Sequence, residues 1–350
     1  YTNVTDNFNN YLHVLAVNIL DDLQEPTSKS YLLGYASTMY VSMNNIYIAY
    51  PSYQNQIETT RIHRIHIDEG DIDYLSTGEV PGYVLNQFSM DEHEDYFRIA
   101  TTIGEVWATG LSASRNNVYV LDMELNTIGT LEDLAPGEKI YSARFMGNRC
   151  YLVTFKKIDP LFVIDLSIPT YPQVLGQLKI TGYSDYLHPY DENHIIGIGK
   201  ETIEAEEGNF AWYQGVKISP FDVTDVSDPK ELAKYEIGDR GTDSPILRDH
   251  KAFLFDKSKN LLVIPVTVAK VDPSKYPGGN PPPNAYGEFV WDGAYVFNVS
   301  LEAGLELKGN VTHLENDSEL LKSGYYFSSQ YSVKRSLYID DVLYTISDIK

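Results

Sequence analysis

The chain has 350 residues, 43% of them apolar, and its 49 acidic against 27 basic side chains give a formal net charge of −22. That excess of carboxylates disfavours nucleic acid and anionic membrane as partners, because phosphates are held by Lys and Arg. No run approaches the roughly 20 apolar residues of a membrane span, Tyr1 to Asn10 is polar rather than signal-like, and Cys150, the only cysteine, leaves no intrachain disulfide to form.

In chain order, an opening strand pair covers Leu12 to Gly34. Six segments then read as second strands of hairpins: Ile46 to Tyr50, Tyr96 to Thr101, Tyr151 to Phe155, Ile195 to Gly199, Leu261 to Pro265 and Val342 to Ser347. Each follows a polar turn and another strand. The 28 Tyr and the frequent Val, Ile and Thr favour strands, and no 3.6-residue pattern argues for helices. Cys150 falls at the edge of one such strand and is expected to be a small buried residue.

A second kind of strand pair recurs between these hairpins. Alternating apolar residues lead to a polar one at a fixed place: Asn18, His66, Asp122, Asp165, Asp222 and Asn298. Phe162 opens FVIDLSIPTYPQVLGQLKI and Pro220 opens PFDVTDVSDPKELAKYEI. An Asp followed by an apolar residue and Ser or Thr predicts an Asx or ST turn, and Pro then fixes the loop.

A repeat of roughly 40 to 60 residues points to a propeller, in which one core is divided among blades. The chain opens on outer strands with no inner pair and ends on an inner pair, Tyr331 to Ser347, with no outer one. The expected fold is therefore all-β, a single domain over residues 1–350. It is a six-bladed β-propeller of four-stranded antiparallel blades, closed when the N-terminal outer strands complete the C-terminal blade.

Loop lengths are uneven in this scheme. Turns within the inner pairs are tight (Asn44-Asn45, Gly147-Asn148, Asp191-Glu192, Asp340-Asp341), whereas connections from inner to outer strands swell to Glu201 to Gly215 and Thr267 to Gly293. Long loops on a rigid scaffold commonly carry binding. Trp107, Trp212 and Trp291 sit in or beside such segments with Tyr213, Tyr276, Tyr286 and Phe289. The expected ligand-binding face is Trp107, Trp212, Tyr213, Tyr286 and Trp291, offering rings for sugar stacking or protein anchoring. The competing reading packs the same rings under the loops.

The innermost strands offer Ser142 and Arg144, Asp185 and His188, Asp249 and His250, and Lys334 and Arg335 near a central channel. Asp185, His188, Asp249 and His250 could hold a transition metal or orient a general base if adjacent blades converge; the structural alternative pairs them with each other or with backbone. His63 and His66 point to opposite faces of one strand, and His93 and His194 belong to a hairpin turn and a strand. Calcium is a separate possibility at Asp68, Glu69, Asp71 and Asp73, or at Asp222, Asp225 and Asp228. Gly197 and Gly199 precede no helix and are not a phosphate loop. Serine-protease order, zinc spacing and nucleotide fingerprints are absent.

The strings LNQFSMDE from Leu85, LAPGEKIYSARFMG from Leu134, YLVTFKKIDPLFVIDL from Tyr151, DHKAFLFDKSKNLLVIPV from Asp249 and SLYIDDVLYTIS from Ser336 run over nearly the whole chain. Together they resemble the secreted β-propeller family of archaea and bacteria that is distantly related to WD-repeat proteins. The resemblance implies a secreted or cell-envelope location, with a signal sequence and a further segment ahead of the portion seen here, but no particular activity. Four glycosylation sequons, at Asn3, Asn298, Asn310 and Asn316, are compatible with export.

Three functions follow as expectations. One is a monomeric extracellular binding or scaffolding module that recognises a protein or surface polysaccharide through its loop-rich face. The second is a metal-binding enzyme or redox protein with its site at the channel mouth. The third is a purely structural envelope ring.

Overall fold

Asx-type turns between alternating apolar segments cut the chain into short antiparallel strands, and the computed structural model describes them over residues 10–21, 23–54, 57–156, 159–208, 210–322 and 326–350. The Asn3 sequon and nearly all of the polar opening lie outside the described residues. Strands β1 (Asn10–Ala16) and β2 (Thr27–Leu33) form a hairpin. A four-stranded meander follows: β3 (Thr38–Val41), β4 (Asn45–Gln54), β5 (Ile57–Asp68) and β6 (Asp71–Pro81).

In the next sheet β7 (Tyr83–Val84) and β8 (Met90–His93) both pair with β9 (Tyr96–Ile103), which is followed by β10 (Arg115–Leu121) and β11 (Thr127–Leu134). The third comprises β12 (Lys139–Met146), β13 (Arg149–Phe155), β14 (Asp159–Asp165) and β15 (Gln173–Ile180). The fourth has β16 (Tyr183–Asp191), β17 (His194–Glu204) and β18 (Ala211–Asp222), with β19 (Lys230–Glu231) and β20 (Tyr235–Ile237) both on the edge of β18. The fifth is β21 (Leu254–Asp256), β22 (Leu261–Lys270), β23 (Glu288–Ser300) and β24 (Gly304–Val311). After a short helix, Ser318–Lys322, strands β25 (Arg335–Ile339) and β26 (Val342–Ile346) make a final hairpin.

The six expected inner strands fall within β4, β9, β13, β17 and β22, and on β26, which stops one residue short of Ser347. The chain divides into two compact units, Tyr1–Thr154 with Val163–Leu175, and Phe155–Phe162 with Gly176–Lys350.

Burial explains why these strands were readable. Phe97 to Thr102 in β9 and Ile195 to Gly199 in β17 are buried at every residue, as a strand covered on both faces must be. Outer strands such as β15 alternate instead. In the first unit Tyr47, Ala49, Ile62 and Val80 meet Met90, Phe97, Ile99, Tyr119 and Leu121 in one core, with the Tyr47 and Phe97 rings stacked 4.2 Å apart. Each fully buried side chain of this size contributes about 1.5–3 kcal/mol. In the second unit Val263, Ala294 and Val333 form a smaller core with Leu254, Leu261, Val296 and Leu343 around it. Cys150 is fully buried, and that burial pushes its thiol pKa well up.

The turn chemistry holds at most of its expected places. Asn18, Asp122, Asp165 and Asp222 each accept a backbone N–H with the side-chain Oδ1, at 2.8–2.9 Å. His66 and Asn298 differ: both stay inside strands, opposite Asn45 and Leu261, because β5 and β23 continue past them. The two long loops are also shorter than expected. The β17–β18 ladder runs out to Glu204 opposite Ala211, and the β22–β23 ladder to Lys270 opposite Glu288. Continued pairing satisfies backbone groups that a loop would leave to water.

Candidate functional site

A five-residue stretch, Asp239–Arg240–Gly241–Thr242–Asp243, joins β20 to the next sheet in the second unit and is bound on both sides. Asp239 N donates to Ala269 O at 2.8 Å, and Asp243 exchanges backbone hydrogen bonds with Thr267 at 2.9 and 2.8 Å. Thr242 Oγ1 accepts from Ala269 N at 2.9 Å and donates to Ala269 O at 3.1 Å. Arg240 O accepts from Gly287 N at 2.7 Å. These bonds fasten the stretch to the extended ends of β22 and β23.

The Arg240 side chain reaches toward the neighbouring sheet. Its Nη1 donates to Tyr213 O at 3.1 Å, and its guanidinium carbon lies 5.1 Å from the Trp212 ring centre and 5.7 Å from that of Tyr286. Gly241 has φ +111°, and a Cβ there would stand 2.7 Å from Tyr286 Cε1, so only glycine lets the turn lie against that ring.

The result is a cleft of about 350 Å³. Its aromatic wall is Tyr213, Tyr286, Phe289, Tyr326 and Phe327; Gln214, Thr242 and Thr267 supply neutral polar groups, and Lys200, Arg240 and Asp243 supply charge. Lys200 is largely buried and donates through Nζ to Thr242 O, with Asp243 Oδ1 3.8 Å away. Burial lowers the Lys200 pKa below its ordinary value, against the opposing pull of Asp243. Asp243 also pairs with Arg248. Arg240 has no carboxylate partner among the described residues, and its Nε is buried without a hydrogen bond.

A second cavity of about 280 Å³ shares Asp243, Thr267 and Phe327 with the first. Asp292, 3% exposed, lies in its wall. Its Oδ2 accepts from Thr267 Oγ1 at 2.7 Å, while its Oδ1 is buried with no hydrogen-bond partner. Burial raises this carboxyl's pKa, although the Thr267 and Ser332 hydroxyls pull it the other way.

Of the expected aromatic face, Tyr213 and Tyr286 line the cleft and Trp212 flanks it through Arg240, with Phe210 edge-on at 4.9 Å. Trp291 is half-buried and packs edge-on against Tyr295 at 5.0 Å. Trp107 is 82% exposed and belongs to the other unit.

The channel candidates fall in β16 and in the segment entering β21. His188 Nδ1 lies 3.0 Å from Tyr186 Oη, and its ring packs between Phe253 and Phe255 at 4.7 and 5.2 Å. With His250 and Tyr190 this is an aromatic ladder between β16 and the segment entering β21. Asp185 sits at the bulge between Ser184 and Tyr186, and its charge acts on Lys200 and Arg248. Asp249 and His250 open a 3-10 turn rather than a strand; Asp249 caps Lys251 N at 3.0 Å and pairs with Arg335 at 2.6 Å.

The second acidic turn is similarly engaged. Asp222 and Asp225 hold backbone N–H groups of their own turns, and Asp228 pairs with Lys230 at 3.4 Å. Among the described residues no three His, Cys, Asp or Glu side chains gather where they could hold a metal, and no helix is long and apolar enough to cross a membrane.

Sequence reasoning missed Lys200, Arg240, Asp243 and Asp292. One signal pointed to Arg240 and Asp243: in a propeller the connection from an outer strand to the next blade shares a face with the long inner-to-outer loops, and DRGTD is such a connection.

The chain is 37% identical over 292 residues to an uncharacterized protein of Methanocaldococcus jannaschii, covering 83% of this chain and 38% of that one. It is 35% identical over 247 residues to an uncharacterized protein of Archaeoglobus fulgidus, covering 71% and 36%. It thus spans less than two fifths of the length of these relatives. Among solved structures, the periplasmic gluconolactonase PpgL of Pseudomonas aeruginosa matches with TM-score 0.36 and 10% identity, covering 86% of this chain and 95% of that one. The C-terminal WD40 domain of Sif2 matches with TM-score 0.35 and 11% identity, covering 75% and 66%. Likeness at these scores bears on neither activity nor ligand. The model of the family described as Beta propeller domain matches residues 2–350, and the chain belongs to that family.

Proposed function

We propose that the chain is a binding module of the cell exterior or envelope that takes hold of a surface saccharide in the cleft around Arg240. The observation that carries this reading is the cleft itself: five aromatic side chains and three neutral polar ones around about 350 Å³, within the range of about 300–1,000 Å³ typical of small-ligand sites. Aromatic faces stack on the apolar faces of sugar rings, while amides and hydroxyls meet their oxygens. A flat protein partner would not need such a hollow. We also propose that the first and last hairpins together supply a sixth blade.

The test is a glycan array probed with the wild type and Tyr286→Ala. Retention of one or more oligosaccharides, weakened at least tenfold by the substitution, is the expected result. An array on which nothing is retained, or on which Tyr286→Ala binds as well as the wild type, removes the saccharide reading.

A further inference from the structure

We infer that the saccharide is acidic, a uronic-acid-type sugar whose carboxylate is received by Arg240. This rests on the cleft being a saccharide site and adds the ligand's charge.

The chain carries a net charge of −22, yet around this cleft the carboxylates are already engaged by other cations. Asp243 is shared between Arg248 and Lys200, and Asp239 pairs with Lys270 at 3.3 Å. Asp185 bears on Lys200 and Arg248. Lys200, Arg240 and Arg248 therefore face Asp243 and Asp185, leaving one positive charge in excess.

Arg240 is also held in place before any ligand arrives. Its Nη1 is committed to Tyr213 O and its plane lies near Trp212 and Tyr286, while Nη2 makes no hydrogen bond among the described residues. A planar guanidinium fixed in this way loses little freedom on receiving a carboxylate, and binds it more directionally than an ammonium does. A sugar that carries the acid on its ring can meet Arg240 and the ring of Tyr286 together. An acidic peptide offers the charge but not the stacking face.

The experiment is calorimetric titration of the untagged chain with short oligomers of glucuronate, galacturonate and mannuronate, each beside its carboxyl-reduced neutral counterpart, and with a short oligoglutamate. At least one uronate is expected to bind tenfold or more tightly than its neutral counterpart, with a preference that shrinks as salt rises. Arg240→Gln should remove the preference, so that acidic and neutral oligomers bind it alike, and Arg240→Lys should restore only part of it. If Arg240→Gln fails to fold, the salt dependence of the wild type still decides. Equal binding of acidic and neutral oligomers overturns the inference while leaving a saccharide site. Binding of no saccharide overturns both, and preference for oligoglutamate assigns the cleft to peptides.

Discussion

Glu92 shows how much one side chain carries in the first unit. Its Oε2 accepts from Tyr47 Oη at 2.6 Å and from Ser42 Oγ and Asn45 Nδ2, both at 2.9 Å, so the β8–β9 hairpin is tied to the neighbouring sheet. Removing one partner leaves a half-buried carboxylate short of a hydrogen bond. Tyr47→Phe should cost about 1–3 kcal/mol in denaturant unfolding; no change in midpoint would show that the bond is idle. Asp292 gives a pH dependence of known sign. Its folded-state pKa lies above the ordinary 3.8, so the native state binds more protons in that window and stability is lost as pH rises through it. Asp292→Asn should flatten this fall in thermal scans from pH 3 upward. Asp191 acts oppositely: although burial opposes the shift, hydrogen bonds from Lys257 and His194 bring its pKa down to about 2. Its stability contribution is present above 3.8 and disappears as pH falls from there toward about 2.

Between elements, the repeat leaves a mark the sequence did not announce. Gly78, Gly129 and Gly176 occupy matching places in β6, β11 and β15, and a Cβ at each would meet a carbonyl oxygen of a following turn, at Leu125, Pro169 and Val226, at 2.5, 2.0 and 2.1 Å. The backbones approach because no side chain intervenes. Gly129→Ala should therefore destabilise the protein by about 1–3 kcal/mol, as overpacking does, measured as a lowered unfolding midpoint. The ladder of β16 and β21 offers a sharper test of His188. If its role is stacking, His188→Phe should remain within about 1.5 kcal/mol of the wild type, whereas His188→Ala leaves a gap between Phe253 and Phe255. A His188→Phe variant that unfolds like His188→Ala would show that the ring nitrogens, not the ring, matter there.

For the molecule as a whole, the proposed closure makes the opening hairpin more than local. Deleting residues 1–34 should lower the thermal midpoint of the entire chain in a single transition if that hairpin completes the last blade. An unchanged midpoint would mean that the closure lies elsewhere. The inner strands were legible because a strand buried on both faces runs largely apolar, as IIGIG in β17 does; in FRIATT of β9 the buried Arg98 is tolerated because it pairs with Asp91. The turns at Asp122, Asp165 and Asp222 were legible because an Asx turn is closed by residues two to four apart. The cleft was not. Lys200, Arg240, Thr267, Tyr286 and Phe327 are scattered along the chain, and no local rule relates them. By itself the sequence determined the strand pattern, the all-β class and the family, since these follow from interactions between near neighbours and from a repeated unit. Which aromatic rings stay open, which carboxylates are already paired and that Arg240 has no carboxylate partner among the described residues were decided only by tertiary structure, because burial and charge pairing depend on which distant segments are packed side by side.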